Sequence, residues 1–325
     1  MNRPELLARL LIIAGMLLAI GALLFLWSRT PLIHAQIAEN GGWSPNILRA
    51  EVGKPLHLEL TSDDVMHGFA IGQMDMAVVD VEPGKVTGVT LKFDNPGIYT
   101  FYCTRWCGLN HWRMRGTIGV SGAPSEPEPV TVPLYVSLNL DIDAPHDASS
   151  IPNIQPSAVR GEELATGLTV DLSFEYYRSY SPYQAFNDRN NTSLAESQRW
   201  DVAAYLWQSN TTKESLANGQ RLYAQNCAAC HGENGNGDGV FADDLAQAGE
   251  DSLQNMAGSE EMSRQTPAAF SDPKRMLGAS PALLQGKILR GGMGTGMPMW
   301  GSIFTEDQIW DLIAYIYSFQ FEYEK

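Results

Sequence analysis

Four cysteines are present in the 325-residue chain, and they fall into two tight clusters that also contain histidine. The first cluster is CTRWCGLNHWRM, in which Cys103, Cys107, His111 and Met114 follow the spacing C-x3-C-x3-H-x2-M. The second cluster is CAACH, residues 227–231. Thiolate, thioether and imidazole are soft or borderline ligands, so both clusters are candidate sites for a transition metal or a metal cofactor.

The CAACH cluster has the pattern of a covalently attached haem. Cys227 and Cys230 can each add to a vinyl group of the haem, and His231 then faces the iron. A redox C-x-x-C pair does not need the adjacent histidine, and a zinc site would need further soft ligands nearby. We therefore predict haem c, with His/Met ligation that transfers electrons and leaves no open position on the iron.

The second iron ligand is predicted within GGMGTGMPMWG, which contains Met293, Met297 and Met299. Met297 precedes Pro298, which fixes the backbone, and the surrounding glycines let the chain approach the haem closely. This stretch resembles the methionine loop of small class I cytochromes c, in which the ligand precedes a proline. Met297 is the predicted ligand, and Met299 is the alternative.

The CTRWC cluster has the ligand types of a copper site. It follows the strand-like sequence IYTFYC and leads into GTIGV, so its cysteines lie on a loop between strands. Two thiolates can bridge two coppers, each of which then needs one imidazole and one weak ligand. His111 and Met114 supply half of this set. The second imidazole must come from a histidine outside both motifs, and the candidates are His34, His57, His67 and His146.

The elements around these clusters predict two kinds of domain. LHLEL, VTGVTLKF, IYTFYC and GTIGV are strand-like runs separated by turn signals, which is typical of an antiparallel sandwich. The Pro-rich stretch at 122–129 predicts a boundary. From about residue 213 the pattern is helical, with amphipathic helices before CAACH and at 306–317.

The segment between the two domains carries part of an internal repeat. ESQRWDVAAYLW at 196–207 and EDQIWDLIAYIY at 306–317 share six residues at a constant offset of 110. The upstream half of the helical domain has no recognisable copy, and no C-x-x-C-H lies between 121 and 212. We interpret 126–212 as a connector with an abbreviated cytochrome-like helical segment and no haem.

The N-terminal region predicts a membrane anchor. Residues 10–27 are 18 uncharged, apolar residues, which at about 1.5 Å per residue just span a bilayer core of about 30 Å. Arg3 and Arg9 precede them and favour a cytoplasmic N-terminus with exported domains. The alternative is a cleaved signal peptide, which usually has a shorter apolar run and a small-x-small cleavage site.

Charge limits the classes of partner. The net charge of −15 argues against nucleic acid. Eight acidic residues and no Lys or Arg lie between 233 and 261, and this stretch could steer a basic electron donor or form a solvated loop.

Residues 51–120 resemble the cupredoxin domain of subunit II of haem–copper oxidases, which carries the binuclear CuA centre. The matching stretches are DDVMHGFAI, VEPG, NPGIYTFYC and CGLNHWRMRGTIGV. Residues 213–325 resemble a cytochrome c fused to such a subunit. The first resemblance implies a copper ligand set of two imidazoles, two bridging thiolates, one weak thioether and one backbone carbonyl: His67, His111, Cys103, Cys107, Met114 and Arg105.

The sequence departs from this family in three ways. The family often has two N-terminal transmembrane helices, and it often carries an aromatic run before the copper domain, whereas we find one helix and no such run. Arg105 replaces a glutamate whose side chain binds magnesium in many oxidases. Arginine has a fixed positive charge and no acceptor, so this magnesium site is expected to be absent or rebuilt.

These features together predict a multi-domain protein in the cytoplasmic membrane, single-pass, with its soluble domains on the periplasmic or extracellular side. We expect an electron-transfer subunit that relays electrons from haem c to CuA and on to an integral-membrane catalytic subunit, which this chain does not contain. The alternatives are a CuA subunit of a nitric oxide reductase and a free-standing, membrane-tethered electron carrier. The predicted domains are an N-terminal transmembrane anchor (1–30), an all-β cupredoxin domain (31–125), the connector (126–212) and an all-α cytochrome c domain (213–325).

Overall fold

The computed structural model describes residues 11–18, 30–74, 76–108, 110–124, 132–188, 193–243, 266–292 and 297–323. Within these ranges, β-strands fill the N-terminal part of the chain and α-helices fill the C-terminal part. The strands are β1 (Leu32–Ala35), β2 (Trp43–Ser44), β3 (Ile47–Glu51), β4 (Pro55–Ser62), β5 (His67–Ile71), β6 (Val79–Val81), β7 (Thr87–Lys92), β8 (Gly97–Cys103) and β9 (Arg115–Ser121).

The strands form a two-sheet sandwich, as the sequence predicts. One sheet has the order β2-β1-β4-β7 and the other has the order β3-β9-β8-β5-β6. Alternating apolar side chains of both sheets meet in one core, because successive residues of a strand face opposite sides. This core includes Leu58, Leu60, Leu91, Phe69, Phe101 and Ile118.

The strand pairing is mixed, so the prediction of an antiparallel sandwich is wrong in this detail. β1 pairs with β4 in parallel, and β3 pairs with β9 in parallel. The parallel partners are far apart in sequence, and no local turn signal reports such a pairing. His67 is the first residue of β5.

The helices include one segment at the N-terminus, residues 11–18 (α1). None of the helices in the described ranges is long and apolar enough to cross a membrane. The predicted anchor at 10–27 lies mostly outside the described residues. The other helices are α2 (Leu134–Ser137), α3 (Ala158–Ala165), α4 (Phe174–Ser179), α5 (Pro182–Phe186), α6 (Glu196–Ser209), α7 (Lys213–Asn226), α8 (Ala228–His231), α9 (Pro273–Gly278), α10 (Pro281–Arg290) and α11 (Glu306–Tyr317).

The pair α7 and α11 forms the frame of the C-terminal helical domain. Gly219 of α7 lies directly against the backbone of Asp311 and within 2.8 Å of the Cβ of Tyr315, measured from the position that a Cβ on the glycine would take. Thr305 accepts a hydrogen bond from the backbone N–H of Gln308 at 3.2 Å and caps α11. The predicted apolar face of α11 is buried, at Ile309, Leu312, Ile313 and Ile316.

The connector contains a second helix pair with the same close contact. Gly161 of α3 lies against the backbone of Asp201 and 2.8 Å from the Cβ of Tyr205, measured in the same way. Asp201 and Tyr205 stand 110 residues before their counterparts in α11. The counterpart of α11 is recognisable in the sequence, but that of α7 is not, since α3 and α7 share few residues besides this glycine.

The connector and the cytochrome-like domain share one hydrophobic core. The Trp207 ring of α6 lies 5.6 Å from the Tyr317 ring of α11 and 6.1 Å from the Phe321 ring, centroid to centroid. Trp207 and Tyr317 are fully buried. The connector is therefore folded and packed against the cytochrome-like domain. Residues 125–129, the second part of the predicted boundary with the sandwich, lie outside the described residues.

Candidate metal and cofactor sites

The first site lies at one end of the five-stranded sheet. His67 begins β5 and Cys103 ends β8, and these two strands pair antiparallel, so the two residues lie near each other. Cys107 lies on the loop after β8. His111 begins a 3-10 turn on that loop, and Met114 directly precedes β9. His67, His111, Cys103 and Met114 are all at most 2 % exposed.

The two thiols of this site are close but not bonded. Their Sγ atoms lie 3.9 Å apart, whereas a disulfide needs about 2.05 Å. Because a metal–thiolate bond is about 2.3 Å long, one ion can contact both sulfurs. The ligand atoms of His67, Cys103 and Cys107 all lie within 4.8 Å of one another.

The remaining predicted ligands complete the cluster. The Nδ1 atom of His67 lies 3.8 Å from the Cys103 sulfur, and the Nδ1 atom of His111 lies 3.7 Å from the Cys107 sulfur. The Met114 Sδ atom is 3.2 Å from the Cys107 sulfur. The structure therefore places one imidazole beside each thiol, with a thioether on one side of the pair.

Arg105 contributes its backbone to this cluster and directs its side chain elsewhere. Its carbonyl oxygen lies 3.3 Å from the Cys103 sulfur. The guanidinium forms a bidentate ion pair with Asp80, in which Nη2 lies 2.7 Å and 2.9 Å from the two carboxylate oxygens. Both side chains are about half exposed.

The hydrogen bond between the two thiols shifts their pKa values in opposite directions. The pKa of Cys103 is lowered to about 2, mainly by its hydrogen bond with the Cys107 thiol and further by hydrogen bonds with His111 and His67, whereas burial acts to raise it. The same hydrogen bond, together with burial, raises the pKa of Cys107. Metal binding at this site therefore requires loss of the proton that Cys107 holds.

Asp64 orients His67 from outside the cluster. Its Oδ1 atom lies 2.7 Å from Nε2 of His67, so the opposite ring nitrogen, Nδ1, faces the sulfur. Burial alone would lower the pKa of His67, but its hydrogen bonds with Cys103 and Asp64 raise it. Asp64 is itself held by the backbone N–H groups of Ile37 and Val65, at 2.7 Å and 2.6 Å. This carboxylate–histidine arrangement is typical of metal sites.

Three histidines considered from the sequence lie elsewhere. The Nδ1 atom of His34 lies 2.9 Å from Asp63, and that of His57 lies 2.9 Å from the Thr90 hydroxyl. The Nδ1 atom of His146 lies 3.3 Å from the carbonyl oxygen of Ala144. Of the four candidates, the structure brings His67 into the cluster.

The second site is a cavity of about 500 Å³ in the helical domain, lined by Cys227, Cys230, His231 and Met297. The Nδ1–H group of His231 donates to the carbonyl of Ala268 at 2.9 Å, which leaves Nε2 as the acceptor. Burial also lowers the pKa of His231 and keeps the imidazole neutral, the form that binds a metal.

The walls of this cavity suit a large, mostly apolar cofactor with an anionic edge. Its apolar walls include Phe270, whose ring stacks on His231 at 4.4 Å, and Ile316. Basic side chains also line the cavity, namely Arg275, Lys287 and Arg290. Burial raises the pKa of Cys227 to about 12 and that of Cys230 to about 11, so both thiols are protonated in the haem-free chain.

The two methionine candidates take different positions. Met297 lines the cavity with Cys230 and His231. The Met299 side chain is 63 % exposed, and its carbonyl oxygen accepts a hydrogen bond from Arg115. Met293 lies outside the described residues.

Two family profiles match separate parts of the chain. Residues 45–120 match "Cytochrome C oxidase subunit II, periplasmic domain", and residues 216–320 match "Cytochrome c". The first match contains the thiol cluster, and the second contains the CAACH motif and Met297.

Individual relatives match a part of the chain. Cytochrome c oxidase subunit 2 of Thermus thermophilus is 39 % identical over 79 residues, which is 24 % of this chain and 58 % of that protein. The alternative cytochrome c oxidase subunit 2 of Bradyrhizobium diazoefficiens is 32 % identical over 82 residues, which is 25 % of this chain and 27 % of that protein. The chain therefore spans less than two thirds of the length of each.

Among solved structures, the periplasmic domain of subunit II of cytochrome oxidase from Bradyrhizobium japonicum is 28 % identical, with a TM-score of 0.22. The match covers 23 % of this chain and 54 % of that chain. By the two profile matches, the chain combines a domain of the cytochrome c oxidase subunit II type, which implies copper, with a cytochrome c domain, which implies haem.

Proposed function

We propose that this chain is the electron-transfer subunit of a membrane-bound haem–copper terminal oxidase. A donor protein reduces haem c, the electron passes to a binuclear CuA centre, and it leaves for a catalytic subunit outside this chain. The proposed haem ligands and attachment residues are Cys227, Cys230, His231 and Met297. The proposed copper ligands are His67, Cys103, Arg105 through its carbonyl, Cys107, His111 and Met114.

The convergence of two thiols, two imidazoles and a thioether is the observation that carries this proposal. A blue copper site would use a single thiolate with two imidazoles. Here each thiol has its own imidazole, at 3.8 Å and 3.7 Å, and the sulfurs are 3.9 Å apart. Two thiolates that bridge two coppers, each with one imidazole, account for this arrangement.

The protein holds these ligands in fixed positions. His67 is fully buried and is oriented by Asp64. Gly68, the next residue, has no room for a side chain, because a Cβ there would contact the Thr104 hydroxyl and lie 3.0 Å from Cγ of Arg105. Buried, well-supported ligands move little when charge changes, which favours rapid electron transfer over substrate chemistry.

Contacts between the two domains support transfer within one chain. The backbone N–H of Gln73 donates to the carbonyl of Ile303 at 2.8 Å. The Arg115 guanidinium donates to the carbonyl of Met299 at 2.9 Å and lies 5.3 Å from the Trp300 ring centroid. Gln73 and Arg115 thus join the copper domain to residues 299–303, which follow Met297 in the chain.

The membrane and partner assignments extend this proposal. The apolar segment at 10–27 would anchor the chain in the cytoplasmic membrane, with both redox domains on the outer side. An integral-membrane haem–copper subunit would accept the electron from the copper centre. The acidic stretch at 233–261 favours a basic protein as the donor.

Substitution of Cys107 tests the proposed function. Cys107→Ser removes one bridging sulfur, so we expect loss of the mixed-valence electron paramagnetic resonance signal and of the near-infrared absorption, with the haem spectrum retained. Arg105→Gln is the matched control in the same loop, since it keeps every proposed ligand atom. Persistence of the mixed-valence signal in Cys107→Ser would show that the copper assignment is wrong.

A CuA-containing subunit of a nitric oxide reductase is the second candidate. The Arg105 side chain favours this candidate, because it stands where many oxidases have a glutamate that binds magnesium. Its guanidinium is paired with Asp80 and has no acceptor atom for a magnesium ion. Oxygen and nitric oxide consumption by the complex purified in mild detergent separates the two candidates. Oxygen uptake without nitric oxide turnover supports the oxidase, and the reverse result supports the reductase. Purification without any integral haem subunit would instead support a free-standing carrier.

A further inference from the structure

We infer that Trp106 is the relay residue through which electrons pass from the haem-binding motif to the copper site. This inference rests on the proposed function, because it assumes haem at CAACH and copper at the thiol cluster. It adds a route and two residues, Trp106 and Phe241, that hold neither the proposed copper nor the proposed haem. The main evidence is a continuous series of ring contacts from His111 through Trp106 to Phe241.

Trp106 contacts the copper site directly. Its ring centroid lies 4.6 Å from that of His111, with an angle of 46° between the planes. Trp106 also lies between Cys103 and Cys107 in sequence, so the backbone that holds the two thiols also holds this ring. The side chain is half-buried, which shields the contact with His111 from part of the solvent.

The Trp106 ring also contacts the cytochrome c domain. The ring centroids of Trp106 and Phe241 lie 5.7 Å apart, at 47°, within the range of aromatic pairs. Both rings are at the surface where the two domains meet. A single side chain from the copper loop thus connects a proposed copper ligand with the other domain.

Phe241 is fixed to the haem-binding motif by backbone hydrogen bonds. Its N–H donates to the carbonyl of Ala229 at 2.9 Å, and the N–H of Gly239 donates to the carbonyl of Cys230 at 3.2 Å. Ala229 and Cys230 belong to CAACH. An electron leaving Cys230 would therefore reach His111, a proposed copper ligand, through bonded atoms, backbone hydrogen bonds and two ring contacts.

Two other contacts between the domains, made by Gln73 and Arg115, offer poorer routes. The Gln73 and Ile303 contact joins backbone groups that are not ligands in either proposed site. The Arg115 contact reaches the copper site through Met114, the proposed weak ligand, and crosses a saturated side chain. Delocalised rings in contact couple two centres better than saturated chains do, so the aromatic route is favoured.

The transfer is a one-electron step without proton movement. With both groups bound, the step would oxidise the haem iron from Fe(II) to Fe(III) and would reduce the mixed-valence copper pair, by the same electron, to two Cu(I) ions. No bond forms or breaks in the protein. The rings of Trp106 and Phe241 provide electronic coupling and are unchanged after the step.

Time-resolved absorption after photoreduction of the haem tests this route in the full-length, detergent-solubilised protein. We expect Trp106→Leu and Phe241→Leu each to slow electron arrival at copper by about tenfold, equivalent to a barrier increase of about 1.4 kcal/mol. Trp106→Phe keeps an aromatic ring and is expected to retain most of the rate. Trp112→Leu is the matched control, because Trp112 lies in the same loop and the described structure shows no ring contact for it.

A second measurement does not depend on electron transfer. Hydroxyl-radical labelling of the copper-free protein reports how far the Trp106 ring is covered. Phe241→Leu removes its partner, so labelling of Trp106 is expected to rise several-fold, while labelling of Trp112 stays the same. Phe241 is not a ligand in either site, so this variant keeps the test valid if Trp106→Leu disturbs copper binding.

The outcomes separate this inference from the proposed function. Wild-type transfer rates in Phe241→Leu, with both metal spectra intact, would overturn the Trp106 route and leave the proposed function standing. Unchanged Trp106 labelling in that variant would also overturn it. Absence of a mixed-valence copper signal in the wild-type protein would instead reject the proposed function itself.

Discussion

Arg115 donates a hydrogen bond from Nη1 to the carbonyl oxygen of Met299, at 2.9 Å. Arg115 directly follows Met114, the proposed weak copper ligand, and Met299 is two residues after Met297, the proposed haem ligand. One hydrogen bond therefore connects the two segments that carry these ligands. The fold of one chain therefore fixes the positions of the two proposed redox sites relative to each other. Substitutions at the contact between the two domains test this docking.

Gly72 is the tightest point of this docking. A Cβ at Gly72 would lie 2.8 Å from the Cα of Ile303 and still closer to the carbonyl oxygen of Ser302, and neither backbone atom can move freely. Gly72→Ala should push the domains apart and break the adjacent hydrogen bond from the Gln73 N–H. We expect hydrogen–deuterium exchange at Gln73 to accelerate by about tenfold. Gly88→Ala is the control, because a Cβ there meets open space, and equal exchange in both variants would contradict the docking.

Met297 and Met299 make opposite predictions as iron ligands. Met297→Ala should abolish the far-red sulfur-to-iron charge-transfer band, because it removes the thioether that lines the cavity. Met299→Ala should leave that band intact, since the Met299 side chain is 63 % exposed. Loss of the band in Met299→Ala alone would assign the ligand to Met299.

Asp64 and Asp63 are neighbouring carboxylates with different partners. Asp64 holds His67 at 2.7 Å, whereas Asp63 pairs with His34 at the surface at 2.9 Å. Asp64→Asn should lower copper affinity by about 10–100-fold, the usual effect of losing such a supporting carboxylate. Competition with a copper chelator measures this, with Asp63→Asn as the control. Equal affinities in the two variants would mean that Asp64 does not support the site.

Gly161 tests whether the connector is part of the folded core. Gly161→Ala places a methyl group against the backbone of Asp201, so overpacking should lower the free energy of unfolding by about 1–3 kcal/mol. Gly167→Ala is the control, because a Cβ there meets open space. Urea unfolding followed by tryptophan fluorescence gives both values. A loss no larger than the control would show that the α3 and α6 contact contributes little.

The ligands within each motif could be predicted from sequence because short chain segments keep them together. Cys103, Cys107 and His111 span nine residues, and any compact loop brings them close. His67 is 36 residues upstream of Cys103, and its residue type alone did not separate it from three other histidines. Only the family resemblance singled it out before the structure placed it.

Residues that act through packing were not predictable in the same way. Asp64 is three residues before His67 in DDVMH, a spacing that could have signalled its role had that histidine been fixed first. Phe241 and Trp106 are 135 residues apart in sequence, and nothing local relates them. The parallel strand pairs depend on equally distant partners, so the sequence predicted the sandwich but not its pairing.

The metal content and spin state of the purified full-length protein test most directly whether the thiol cluster holds a binuclear copper centre. We expect two coppers for each haem c, with a mixed-valence electron paramagnetic resonance signal in which one unpaired electron is shared by both coppers. This follows from two thiols 3.9 Å apart, each with its own imidazole. One copper per haem with an ordinary single-copper signal, or no copper after loading, would contradict it.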